Sequence, residues 1–280
     1  MKKFFKLLYI ILIALIFIYL YARFIEPAML NVHYECIYNE LIDEEEITIL
    51  QFSDLHISEY FNIEDLYKAV EKINGENPDI VVFTGDLFDH YDDYDNKDEL
   101  FRIWNALDMI DASIGKYAIY GNHDYGGGAE RVYNQVMEKG GFNLLKNEHV
   151  LLENYNINII GLDDSIFGKG NRDFLNDVID VNHYNIVLSH EPDIVDFLLE
   201  YNIDLLLAGH SHGGQVNLPF INSLPVLGEK YVRGMYKFEN FRETQLYVNI
   251  GLGTSQLPFR FMAVPELSVF TLNKVKQYYE

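Results

Sequence analysis

From residue 47 to the carboxyl end, the chain switches between short apolar runs and segments with helical spacing. The runs "ITILQFSD", "DIVVFTGD", "KYAIYGNHD", "INIIGLDDS", "YNIVLSHEPD", "IDLLLAGHSH", "QLYVNIGLGT" and "LSVFTL" are rich in β-branched and aromatic residues and bounded by turn formers, the pattern of buried strands. Between them, "NIEDLYKAVEKIN" sets Ile63, Leu66, Tyr67, Val70 and Ile73 on one helical face and stops at Gly75. Likewise "NKDELFRIWNALDMI" predicts a helix with Leu100, Phe101, Trp104 and Leu107 on its inner stripe. This alternation predicts an α/β domain, and the later strands, with less helix between them, predict a second sheet packed on the first.

The amino-terminal pattern differs in kind. An uncharged run from Leu7 to Ala22 follows Lys2, Lys3 and Lys6 and precedes Arg23, Glu26 and the breaker Pro27. With its apolar flanks it reaches about 20 residues, enough to cross a bilayer as a helix. Leu20 and Tyr21 before Ala22 make a poor cleavage site, so residues 1–26 read as a retained membrane anchor, with a cleaved secretory signal as the alternative. Lysines before the span outnumber the single arginine after it, which predicts the remaining chain on the extracytoplasmic side; the cytoplasmic face is the alternative. Residues 27–46, ending in the acidic run "DEEE", read as a linker, which leaves residues 47–280 as the one domain beyond it.

Composition narrows the partners. A formal charge of −22 argues against general affinity for nucleic acid or for anionic lipid heads through a basic patch, since both need clustered Lys and Arg. Cys36 is the only cysteine, so no intramolecular disulfide forms. No protein partner is inferable.

Five of the apolar runs end in residues that ligate metals: Asp54 and His56, Asp86, Asn122 with His123, His190, and His210 with His212. In open α/β sheets the carboxyl ends of strands gather at one edge, so residues far apart in sequence converge there. On a strand end, His210 and His212 would project to one side, and Gly213 and Gly214 would let the backbone pass close to whatever fills the cavity. Carboxylate, amide oxygen and imidazole without thiolate suit hard or borderline divalent ions such as Mn, Fe or Zn, and seven candidate ligands exceed one tetrahedral site. Any one of these residues alone reads better as a satisfied polar group or turn former; repetition at strand ends defeats that reading. His33, His149 and His183 lack such a context, and residues 89–99, "DHYDDYDNKDE", read as a solvated loop with a calcium site as the rival.

In this order, Asp54-x-His56, Gly85-Asp86-x-x-Asp89, Gly121-Asn122-His123-Asp124, a lone His190 and Gly209-His210-x-His212 resemble the calcineurin-like metallophosphoesterase superfamily. The tail "GGQVNLPF" through "YVNIGLGTSQLPFRFMAVPEL" is similar to a bacterial branch of membrane-associated phosphoesterases, some of which cleave the pyrophosphate of UDP-2,3-diacylglucosamine. The resemblance implies a four-layer α-β-β-α sandwich with two central mixed β-sheets, here preceded by one transmembrane helix. It implies two divalent metal ions: Asp54, His56 and His212 would hold the first, Asn122, His190 and His210 the second, and Asp86 would bridge them. His123 is similar to the family histidine that faces substrate, with Asp124 expected to orient it. The implied chemistry is in-line attack of a metal-activated hydroxide on a phosphoester or phosphoanhydride, in a phosphorylated small molecule or lipid-linked substrate. Local metal charge would then draw an anion into an acidic protein. The alternative is a non-catalytic interaction module on the same scaffold, which would have eroded ligands. Arg233, Tyr236 and Arg260 are candidates for reading the leaving group, with structural roles equally open.

Overall fold

The apolar amino-terminal run forms helix α1 (Lys2–Leu20), none of whose residues is buried, and its path continues through a wider turn (Tyr21–Ile25) and a 3₁₀ turn (Glu26–Ala28) that contains Pro27. This is a computed structural model, and it describes residues 1–42, 46–218 and 230–275. Beyond the helix come β1 (Asn31–Asn39), β2 (Ile47–Phe52), α2 (Ile63–Gly75), β3 (Ile80–Phe83), α3 (Leu100–Asp108), β4 (Gly115–Ala118), α4 (Asn122–Gly126), α5 (Tyr133–Lys139) and β5 (Asn143–Leu144). The second half contributes β6 (Glu148–Leu152), β7 (Ile157–Gly161), α6 (Leu175–Val178), β8 (Tyr184–Leu188), β9 (Leu205–Ala208), β10 (Gly234–Lys237), β11 (Gln245–Val248) and β12 (Glu266–Lys274).

These strands make two six-stranded mixed sheets, ordered β1-β12-β2-β3-β4-β5 and β10-β11-β9-β8-β7-β6. Both inner faces are apolar: Ile49, Ile80 and Val82 of one sheet meet Ile159, Ile186 and Leu207 of the other in one fully buried layer. The outer face of the first sheet, with Leu50, Phe52 and Val81, is covered by α2, α3 and α5. Val187, Leu206 and Val248 on the outer face of the second are covered by shorter helical turns around Leu175 and Val195. The result is the expected four-layer sandwich.

Local chemistry sets the helix limits. At the start of α2, Asn62 accepts from the Glu64 N–H while the Asp65 carboxylate accepts from the Asn62 N–H, a reciprocal cap. In α3 the inner stripe is Ile103, Ala106 and Leu107, with Leu100 and Trp104 packed at its margin; Phe101, expected inside, is exposed. A 3₁₀ turn at Lys97–Glu99 leads into the helix, and α3 itself starts at Leu100.

The linker reading of residues 27–46 is corrected by β1, which pairs in parallel with β12 along its whole length, from Asn31↔Glu266 to Asn39↔Lys274. Ile37 and Ile42 of the same stretch are buried in the layer between the sheets. An edge strand needs backbone pairing more than apolar side chains, so β1 exposes Tyr34 and Tyr38 and carries no apolar run. Part of the acidic run lies outside the described residues.

Strand direction places the ends. Strands β2, β3 and β4 are parallel, so they all finish at one edge. Strand β12 runs against β2, with Ser268 opposite Gln51, so β12 begins at that same edge, and β1 begins beside it. The helix α1 therefore joins the domain at the edge where the candidate ligands emerge.

Candidate metal centre

Each candidate ligand sits within a few residues of a parallel strand end, and five are held in a backbone conformation that side chains disfavour. Asp54, His56, Asp86, His210 and His212 have φ of 51°, 44°, 61°, 68° and 50°. Non-glycine residues there cost about 1–3 kcal/mol each and persist only where surrounding structure over-determines them. The chain does not simply continue β9 into His210 and His212. Left-handed His210 and His212, on either side of a right-handed Ser211, turn the two rings toward different neighbours, His190 and His56, so the i, i+2 reading is replaced by a tighter loop.

Cross-loop hydrogen bonds supply the restraint. The Asp54 N–H donates to Gly85 O at 3.0 Å and the His56 N–H to Asp86 O at 3.2 Å, locking the first two loops together. The His210 N–H lies 3.1 Å from both Asp54 carboxylate oxygens, which ties the second sheet to the first. Gly85, at φ 95°, passes so close to Gly121 that a β-carbon would stand 2.5 Å from Gly121 N. Gly213 and Gly214 do not serve the approach foreseen for them; β-carbons there would meet Ile250 and Asn217.

All seven candidate ligands converge and are buried. Asp54, His56 and His212 form one cluster, and Asp86, His190 and His210 a second. Asp86 Oδ2 stands between them, 3.4 Å from His56 Nε2 and 3.1 Å from His190 Nε2. Asn122 Oδ1 joins the second cluster, 3.2 Å from His190 Nε2.

The donor set fits divalent cations. His190 Nδ1 donates to Thr84 O at 2.6 Å, which turns its Nε2 toward Asp86 Oδ2 and Asn122 Oδ1. His56 Nδ1 is bonded to Asp89 Oδ1 at 3.1 Å, and its Nε2 faces His212 Nε2 at 2.9 Å. Two ligands at right angles around an ion with bonds of about 2.1 Å stand about 3 Å apart, so such crowding suits a shared cation. Further, His210 Nδ1 and His212 Nδ1 are buried without a hydrogen-bond partner, a state that costs about 1–3 kcal/mol for each polar atom left unpaired.

Electrostatics agree with this reading. Burial pushes the His210 imidazole down to about 3, with the His190 charge adding, and burial with the His56 charge holds His212 well below its usual value. Both rings are therefore neutral, the form that binds metal. Burial works against a charge on His190, but the adjacent Asp86 carboxylate raises its proton affinity well above the ordinary value. Burial also opposes ionisation of Asp86, and the His190 and His56 imidazoles nonetheless hold its carboxyl well below the usual range. The same local field that would hold a proton there attracts a cation.

His123 lies at the rim. Its ring packs edge-on to His56 with centroids 4.7 Å apart, and its side chain is the most exposed of the site histidines at 21%. Its Nδ1 is 2.5 Å from Asp89 O, leaving Nε2 for a ligand. Asp124 does not hold this ring, contrary to expectation. Asp124 Oδ2 accepts from the N–H groups of Asp86 and Gly121, both at 2.9 Å, and Oδ1 accepts from the Leu87 N–H at 3.0 Å. It staples two loops by their backbones.

Asp89 was legible as part of Gly-Asp-x-x-Asp, yet its position beside both His56 and His123 was not, because the charged stretch after it reads as solvent-facing. The rest of that stretch is indeed mostly exposed, with Asp92 paired to Arg131. The three tail candidates bond to backbone groups. Arg260 is fully buried and donates to the carbonyls of Ile250, Gly253 and Ala263. Arg233 donates to Gly213 O and Met262 O, and the Tyr236 hydroxyl accepts from the Val232 N–H. His33, His149 and His183 pair locally with Glu35, Asn158 and Asp180, away from the centre.

Residues 47–214 match the model of the calcineurin-like phosphoesterases. The chain is 39% identical to the uncharacterized metallophosphoesterase YkuE of Bacillus subtilis, over 91% of this chain and 89% of that one. It is 32% identical to YkoQ of the same organism, over 79% and 82% of the two chains. It is 28% identical to the UDP-2,3-diacylglucosamine pyrophosphatase LpxG of Chlamydia muridarum, over 80% and 82%. Among solved structures, a dimetal phosphatase from Danio rerio aligns with a TM-score of 0.44 at 12% identity, covering 76% of this chain and 89% of that one. On the family match and these identities, the chain belongs to the calcineurin-like phosphoesterases and is a metal-dependent hydrolase of phosphoester bonds.

Proposed function

We propose that this protein is a membrane-anchored phosphohydrolase with a two-metal centre that cleaves a phosphoester or phosphoanhydride. Asp54, His56 and His212 would hold one divalent ion, Asn122, His190 and His210 the other, and Asp86 both. The observation that carries this reading is the position of Asp86 Oδ2, within 3.4 Å of a nitrogen from each cluster. Such ions, when bound, supply charge that neutralises phosphoryl oxygens and acidifies a water into the neutral range.

The protein's own groups have separable tasks. Asp89 fixes His56 through its carboxylate and His123 through its carbonyl, so one residue orients a ligand ring and the rim ring together. Burial opposes a proton on His123, but Asp86 and Asp89 raise its affinity above the ordinary value, which suits a donor to the departing oxygen. Asp124 and the left-handed turns keep these groups in place before substrate arrives.

For the substrate, the similarity to LpxG supports a lipid-linked phosphate, with UDP-2,3-diacylglucosamine as one candidate. The lysine asymmetry supports an extracytoplasmic catalytic domain, where a nucleotide-linked precursor made inside the cell is not at hand. A different lipid-linked phosphate reconciles the two. The test is a panel of aryl phosphomonoesters, aryl phosphodiesters, nucleoside diphosphate conjugates and lipid phosphates, offered to the metal-loaded full-length protein. Turnover of none of them in the presence of Mn, Fe or Zn favours the non-catalytic module. Protease access to the domain in intact against lysed cells tests the side.

A further inference from the structure

The helix α1 does not end in a loose tether. Arg260 N–H donates to Ala22 O at 2.9 Å, and the buried Glu26 accepts the Ala263 N–H at 2.6 Å. Two aromatic pairs flank these bonds: Tyr19 with Phe259, centroids 5.5 Å apart, and Tyr21 with Phe261 at 6.3 Å. The same segment reaches the metal centre, because the Gly253 N–H donates to Asp54 O at 2.8 Å and the Arg260 guanidinium holds Gly253 O. One loop, residues 253–263, thus clasps the end of the helix on one side and the backbone of a candidate metal ligand on the other.

Depth follows from this contact. Tyr19 precedes Arg23, the first charge beyond the apolar run, by four residues, or about 6 Å at the helical rise per residue. Phe259 packs on Tyr19, so the loop sits level with the last turn of the helix rather than beyond it. Exposed apolar side chains occur elsewhere on the domain too, Phe167, Phe197 and Phe241 among them, but here they adjoin the end of the helix: Leu257 is 59% exposed, Met262 56%, Phe24 58% and Tyr60 43%. The Arg23 guanidinium lies over the Phe24 and Tyr60 rings at 4.8 and 4.9 Å, an amphipathic group of the sort enriched at the border of a bilayer.

We propose that the face carrying Tyr60, Leu257 and Met262, continuous with Phe24 and Ile25 at the end of the helix, lies in the lipid interface and holds the ligand-bearing edge of the sheets beside the bilayer. The proposal rests on reading α1 as a membrane span. The occupant of the exposed apolar face is lipid because the face is contiguous with the helix whose apolar surface is open all round. For a phosphohydrolase, such a clasp presents the site to phosphates at the membrane surface without a diffusing tether.

The test uses full-length protein in liposomes, with Cys36→Ser as background and single cysteines placed by Leu257→Cys, Met262→Cys, Phe24→Cys and Phe241→Cys. Phe241 is 90% exposed and precedes β11, at the opposite end of the parallel strands from the candidate ligands. Each cysteine carries an environment-sensitive fluorophore, and the liposomes contain a lipid spin-labelled near the headgroup end of its acyl chain. Loss of emission at positions 257 and 262 comparable to that at 24, with none at 241, is the expected result. Quenching at 24 but not at 257 or 262 overturns the proposal while leaving the anchor intact, including the case where a second copy covers the face. Quenching at none of the four overturns the membrane span itself, and the proposal with it.

Discussion

Replacing Asp124 by alanine removes the acceptor of three buried backbone donors while leaving every candidate ligand side chain in the sequence. Its carboxylate receives Asp86 N, Gly121 N and Leu87 N at 2.9, 2.9 and 3.0 Å. Burial and the Asp86 charge push the Asp124 carboxyl up to about 8 against the three N–H donors that favour its charged form, so the loss is reckoned from the donors alone: each buried one left unpaired costs about 1–3 kcal/mol. The three bonds share one acceptor and are not additive, so a loss of about 3–6 kcal/mol is expected. That is a large part of the about 5–15 kcal/mol that holds a typical domain folded. Asp124→Asn keeps one oxygen, which would stay with the Asp86 and Gly121 N–H groups and turn the amide against Leu87 N, for a smaller loss of about 1–3 kcal/mol. Urea unfolding of the detergent-solubilised full-length protein at neutral pH measures both. If Asp124→Ala unfolds within about 1 kcal/mol of the parent while turnover falls as far as in His123→Ala, then Asp124 acts through His123 and the loop staple is wrong.

His123→Ala is expected to keep the full metal content, by elemental analysis, while turnover of an aryl phosphodiester falls about 10²- to 10⁴-fold. Asp89→Ala should lower metal affinity by about 10- to 100-fold in a chelator competition, because His56 loses the partner that fixes its ring; an unchanged affinity would remove Asp89 from the centre's support. Asp204, which accepts the Asn185 N–H at 2.8 Å, gives a pH prediction, since burial raises its carboxyl from 3.8 to about 6. The folded state then binds the proton more tightly than the unfolded chain, so this group favours folding as pH falls from about 6 toward 4 and disfavours it by up to about 3 kcal/mol above 6. Asp204→Asn should therefore gain stability relative to the parent at pH 7 and lose that advantage near pH 4; a difference that does not change with pH contradicts the assignment.

What the sequence disclosed divides along a physical line. All eight strands expected from apolar runs occupy interior positions, whereas the strands without such a run, β1, β5, β6 and β10, are the four sheet edges. Interior strands bury both faces and so read as continuous apolar runs; edge strands are half solvated, and "NVHYECIYN" could pass for a tether. The misjudged Phe101 has a similar origin, since helical spacing alone does not say where the apolar stripe ends. In the site, ligand identities were legible because five strands finish in metal-binding side chains. Orientation was not: the left-handed turns at Asp54, His56, Asp86, His210 and His212 depend on hydrogen bonds between loops distant in sequence. The same holds for Asp124, whose partners Asp86 and Leu87 lie 38 and 37 residues away, and for the Arg260 and Arg233 struts.

The central claim is a pair of divalent ions joined through Asp86. Elemental analysis of purified full-length protein beside Asp86→Ala, with turnover of an aryl phosphodiester followed on the same samples, tests it directly. The account predicts about two transition-metal ions per active chain, as a two-metal phosphatase site requires, and predicts that the variant loses both metal and turnover. Active protein without transition metal, or a variant that retains the parent's full metal content, would contradict it.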